Sequence, residues 1–118
     1  MKTLRLLNLH CNRTDNDDDN SHKLNEIFLT VENGLFHVFG PKVMMNGSDW
    51  NVNADIQFNK QAIMRFFDRE LVRNLSTTKY FRNYIVKENN IYDGPKKISF
   101  ATKNANYVLT YEIIQIYI

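Results

Sequence analysis

Apolar and polar side chains alternate along most of the chain. The clearest run is Trp50 to Phe58, where Trp50, Val52, Ala54, Ile56 and Phe58 are separated by Asn51, Asn53, Asp55 and Gln57. Successive side chains of a strand point to opposite faces, so this run predicts a strand with one dry and one wet face. After Asn59, Lys60 and Gln61 the pattern resumes at Ala62, Met64 and Phe66 and ends in Asp68, Arg69 and Glu70. So short a polar break predicts a hairpin whose second strand carries two acidic residues to one end of a sheet.

The same period recurs elsewhere. Leu4 and Leu6 share one phase and Leu7, Leu9 and Cys11 the other, the signature of a β-bulge inside one long first strand. Residues Asn12 to Lys23 are almost all polar and predict a loop. Ile27, Leu29 and Val31 alternate through Glu26 to Glu32, and Asn33-Gly34 predicts a type I′ hairpin into Leu35 to Phe39. Gly40-Pro41 is expected to end that strand, and Asn46 to Asp49 to form a turn. Leu71 to Lys79 has no clear period and at most one helical turn, around Leu71, Val72 and Leu75. Tyr80 to Val86, Lys97 to Ala101 and Asn106 to Ile118 complete the strands. In the last run Tyr107, Leu109, Tyr111 and Ile113 share one phase and Ile114, Ile116 and Ile118 the other, which predicts a second bulge near Ile113.

Eight short-connected strands without an amphipathic helix predict an all-β fold, an eight-stranded antiparallel β-sandwich. The first and last strands are long and apolar and are expected near the middle of the sheets, since a long hydrophobic edge invites aggregation. Trp50, Val52, Ile56, Phe58, Phe66, Leu109 and Tyr111 are expected in the core, with Tyr107 beside them.

Length and charge narrow this further. At 118 residues the chain is expected to be one domain, residues 1–118, with a single core. The formal net charge of +2 gives no reason to expect a nucleic-acid partner. That charge is unevenly placed, because Asp15, Asp17, Asp18 and Asp19 lie within five residues and without them it rises to +6. The single cysteine, Cys11, excludes an intrachain disulfide and ends an apolar run, so a buried thiol is expected. Lys2 followed by leucines has the look of a leader, but Arg5, Asn8 and His10 interrupt it. No apolar run approaches the ~20 residues of a membrane-spanning helix.

Little catalytic chemistry is legible. His10, His22 and His37 have no metal-ligand spacing, no glycine-rich phosphate loop exists, and no serine sits in a nucleophile elbow, so no enzymatic activity is expected. What stands out is acidic: the segment Asp15 to Asp19 and the strand end Asp68 to Glu70. Calcium takes six to eight oxygen ligands from irregular sets of carboxylates, and two acidic segments brought together by a sandwich supply such a set. The plainer reading of Asp15 to Asp19 is a solvated loop.

The chain resembles the C2-like domain, the calcium- or phospholipid-binding β-sandwich. The resemblance is carried by the strand ending Leu9, His10, Cys11, the acidic stretch Thr14 to Asp19, the segment Val38 to Pro41, and Phe67 to Glu70. It implies a C2-like sandwich in which Asp15, Asp17, Asp18, Asp68 and Glu70 hold calcium weakly and present it to an anionic lipid surface. Glu70 replaces the second aspartate of the family's pair and Arg69 lies between the acids, which implies one ion rather than several. The alternative is a calcium-independent structural or self-associating protein, an assembly subunit or toxin component. In that reading Ile114, Ile116 and Ile118 form the subunit contact, because the final run is apolar in both phases.

Overall fold

The computed structural model describes residues 1–13, 23–72, 75–89, 94–102 and 105–115, with side chains described for all of these except 23–24 and 70–81. Eight strands follow in order: β1 (Lys2–Arg13), β2 (Lys23–Glu32), β3 (Phe36–Val43), β4 (Asp49–Phe58), β5 (Gln61–Val72), β6 (Leu75–Lys87), β7 (Lys96–Ala101) and β8 (Asn106–Gln115). They form two four-stranded sheets, ordered β4-β1-β8-β7 and β3-β2-β5-β6, and every pairing is antiparallel. The fold is a β-sandwich.

The long apolar strands β1 and β8 are the two central strands of the first sheet, as their composition requires. Leu4, Leu6, Leu9 and Cys11 face the interior, and the change of phase is a bulge: the register of β1 against β8 shifts between Leu6 and Asn8. On its other side β4 answers with its own extra residue, and Asn53 takes a left-handed φ of 49°. In β8, Tyr107, Leu109, Tyr111 and Ile113 are all buried, and the pairing with β1 continues through Ile113 to Gln115 without a shift. The expected second bulge is therefore absent; Ile114 simply occupies the outward phase.

Three further expectations are corrected. Trp50 to Phe58 and Gln61 onward are not a hairpin, because β4 pairs with β1 in the first sheet while β5 pairs with β2 and β6 in the second. Phe58 and Ala62 are both buried, so the apolar pattern is the same whether the chain turns back or steps across to the facing sheet. Residues 71–72 and 75–79 are strand rather than a helical turn, extending the β5–β6 hairpin to Val72↔Leu75. β3 also runs through Gly40-Pro41, a cis peptide, with an irregular register opposite Ile27 and Leu29. An edge strand tolerates proline because its outward N–H has no ladder partner to lose. The hairpin from β2 closes at Glu32↔Phe36, with Gly34 at φ 102° and the Asn33 side-chain oxygen accepting from the Leu35 N–H at 3.0 Å. Leu35 thus belongs to the turn.

The core joins the sheets through aromatic rings. Phe66 of β5 stacks on Phe100 of β7 at 4.8 Å and meets Tyr107 of β8 at 4.8 Å. Ile56, Phe58, Leu109 and Tyr111 are buried as expected, whereas Trp50 and Val52 are partly buried against the core's margin. Cys11 is a fully buried thiol.

Candidate functional site

The acidic end is built where β1 finishes, β2 begins and β5 runs out. Phe66 and Asp68 share the inward phase of β5, so Asp68 enters the interior: it is 2% exposed, and Tyr107 donates its hydroxyl to Oδ2 at 3.2 Å. Asn25 of β2 lies one inward step further out, opposite Glu70 in register. It is 1% exposed, and neither its side-chain oxygen nor its nitrogen has a hydrogen-bond partner. The end also holds Cys11, whose N–H donates to the Ser48 carbonyl at 2.9 Å and whose carbonyl accepts from Gly47 at 2.7 Å. Asp68 and the Glu70 backbone therefore do reach the end at which the Asp15 to Asp19 segment joins β1 to β2. Asp15, Asp17 and Asp18 lie outside the described residues, as does the Glu70 side chain. Among the described residues no group of three or more histidine, cysteine or acidic side chains is placed to hold a metal ion.

The outer face of the first sheet is mainly polar and its charges are paired with one another, although the buried Thr3 Oγ1 has no hydrogen-bond partner. Arg5 donates from Nε to Asp55 Oδ1 at 2.9 Å and from Nη2 to Oδ2 at 3.1 Å, and reaches Glu112 at 3.5 Å. The Arg5 hydrogen bonds and its positive charge hold the Asp55 carboxyl below its ordinary range, and the same contacts raise the guanidinium. Asn8 bonds Asn51 at 2.9 Å, His10 bonds Asp49 at 2.8 Å and Asn12 bonds Asn106 at 3.3 Å. Ile114 sits on this face, partly buried, opposite Thr3 in register; Ile116 and Ile118 lie outside the described residues.

The second sheet turns out a different face. From β3 to β6 its outward positions fall in rows: Phe36, Glu32, Ile63 and Ile85; then Val38, Thr30, Arg65 and Asn83; then Phe28 beside Phe67; then Val43, Glu26 and Arg69. The charges are paired within the face. Arg65 donates to Glu32 at 2.9 Å, Arg69 donates to Glu26 at 2.8 Å, and the Arg69 guanidinium lies 4.9 Å from the Phe28 ring centre.

Exposure concentrates at one margin of this face. Of seven exposed large hydrophobic residues among those described, five are Leu35, Phe36, Val38, Val43 and Met45, on or beside β3. Strand edges are ordinarily blunted by charge, proline or bulges. β4 carries Asp49, Asp55 and the Asn53 bulge, β7 begins Lys96-Lys97, and β6 exposes Arg82 and Lys87. On β3 the blunting is confined to its second half, Gly40-Pro41-Lys42. There a Cβ on Gly40 would stand 2.5 Å from the Ile27 carbonyl and 3.3 Å from the Trp50 ring, so glycine lets the indole of β4 close over the seam. The first half, Phe36 to Phe39, has no such protection. The sequence shows Leu35 to Phe39 as apolar apart from His37, but its edge position depends on sheet order, which no local pattern encodes.

No protein-family model, no curated protein and no solved structure matches the chain.

Proposed function

We propose that the protein is a non-catalytic interaction module that binds through the β3 margin of its second sheet. The observation that carries this reading is the contrast between the two outer faces. One is a ladder of asparagine and ion-pair contacts suited to water, and the other ends in a concentration of exposed apolar side chains along an edge whose first half is unblunted. Such groups on a soluble fold are ordinarily contact surfaces. The test is the fluorescence of an apolar reporter dye with the parent chain and with Phe36→Lys and Val38→Lys, alongside their melting temperatures. Loss of dye binding at unchanged melting temperature supports the assignment. Dye binding that survives both substitutions overturns it.

A second reading retains one support. In a C2-like sandwich the acidic first connection faces the acidic end of a middle strand, and here Asp68 and the Glu70 position of β5 lie at the end where β1 and β2 are joined. On this reading Asp15, Asp17, Asp18, Asp68 and Glu70 hold one calcium ion and direct the module to an anionic lipid surface. Calorimetric titration of chelator-cleared protein tests it. Heat that disappears in Asp15→Asn with Asp17→Asn supports calcium, and absence of heat removes it.

A further inference from the structure

We propose that the partner at this margin is a second copy of the chain, paired edge to edge through β3, an inference that rests on the reading of the margin as the working surface. Among the described residues β3 is hydrogen-bonded along one side only, to β2. Along its other side the N–H and C=O groups of alternate residues from Phe36 to Phe39 point outward, and the group that satisfies a row of them is another extended strand. That chemistry selects a protein strand over a lipid surface.

Charge selects the copy. Leu35 to Phe39 contains no formal charge, with histidine neutral at pH 7. The nearest arginines, Arg65 and Arg69, are committed to Glu32 and Glu26 within the same molecule. Leu35 to Phe39 therefore offers no formal charge to attract an acidic or basic partner, and two such stretches meet without like-charge repulsion. A two-fold contact needs only a patch complementary to itself. An antiparallel pairing centred on His37 sets Phe36 of each copy against Val38 of the other on the outward face, the adjacent, same-face placement in which cross-strand apolar pairs stabilise a sheet. Pro41 and Lys42 end the pairing, because the proline has no N–H to give and the lysines stay hydrated at the rim.

The area is of the right order. Leu35, Phe36, Val38, Val43 and Met45 are between 49% and 70% exposed. Of these, Leu35, Phe36 and Val38 lie within the paired stretch and offer on the order of 350 Å² per copy, within the range of a monomer's largest patch and a little under half of the roughly 800 Å² per partner of a stable dimer. The paired backbone strip and the half-buried Phe39 add to it.

Sedimentation velocity over a wide concentration range tests the proposal. The parent chain is expected to move from the 14.0 kDa monomer to twice that mass. Val38→Lys is expected to raise the dissociation constant at least tenfold. Leu35→Lys, in the turn and outside any strand, should weaken the dimer without touching the fold. Ile85→Lys, across the sheet on β6, should leave it within twofold. A parent chain that stays monomeric overturns self-pairing, including one that instead sediments with phosphatidylcholine vesicles; positive dye binding in that case keeps the margin as a contact surface for something else. A dimer broken equally by Ile85→Lys and Val38→Lys overturns edge pairing in favour of face-to-face stacking.

Discussion

Removing one buried hydroxyl should report directly on the polar end of the core. In Tyr107→Phe the ring keeps its place against Phe66, 4.8 Å between centres, and the bond to Asp68 Oδ2 is lost. Both partners are buried, so water does not replace the missing donor. A net hydrogen bond of this kind is worth about 1–2 kcal/mol, and its 3.2 Å length favours the lower half of that range. For a domain of this size the melting temperature should fall by about 4–8 °C. Urea unfolding followed by circular dichroism measures the difference, with an unchanged denaturant slope showing that the same surface is exposed. A loss below about 0.5 kcal/mol would refute the reasoning. So would a double-mutant cycle with Asp68→Asn that shows no coupling.

The other expectations concern packing, an unsatisfied amide and acid. Leu109→Ala removes a fully buried side chain from a central strand, between Leu9 and Ile98 in register, where the cavity is walled on both sides; it should cost about 3–5 kcal/mol by chemical denaturation, and a loss under 1 would contradict the packing described. Asn25→Leu replaces an amide with no side-chain partner by an apolar group of similar size and should stabilise the chain by about 1–2 kcal/mol; a strongly destabilised variant would show that the amide has work to do at that end. The Asp55 carboxyl is held below its ordinary value by Arg5, so its folded state binds a proton later than its unfolded state as pH falls. The Arg5–Asp55 contribution is therefore complete above the unfolded value of about 4 and disappears as pH drops through the lower folded value. The stability difference between the parent and Asp55→Asn should narrow across that acid window, and a difference that widens there has the wrong sign.

Periodicity made much of the fold legible and left the proposed contact surface hidden, for one physical reason. An alternating pattern reports which face of a strand is dry; it does not report which strand lies beside it. The phase change at Leu6 and Leu7 marked a true bulge, and the apolar length of β1 and β8 placed them centrally. By contrast, the step from Phe58 to Ala62 keeps its phase whether the chain turns within a sheet or crosses between sheets. The final strand showed apolar residues in both phases; β8 is interior to its sheet, Ile114 lies half-buried on the outer face, and Ile116 and Ile118 lie outside the described residues. Leu35 to Phe39 read as an ordinary strand, and became a candidate contact only when β3 proved to be an edge. Asp68 was found from its charge, but its direction was set by sharing the phase of Phe66, which carries it inward to Tyr107.

Amide hydrogen exchange at low and high protein concentration reads the β3 edge in the unmodified chain and so distinguishes edge pairing from every other contact. Raising the concentration is expected to slow exchange among Phe36 to Phe39 and to leave the amides of β4, from Asn51 to Gln57, unchanged. Slowed exchange on β4 or on the outer face of the first sheet, with no change at β3, would contradict edge pairing.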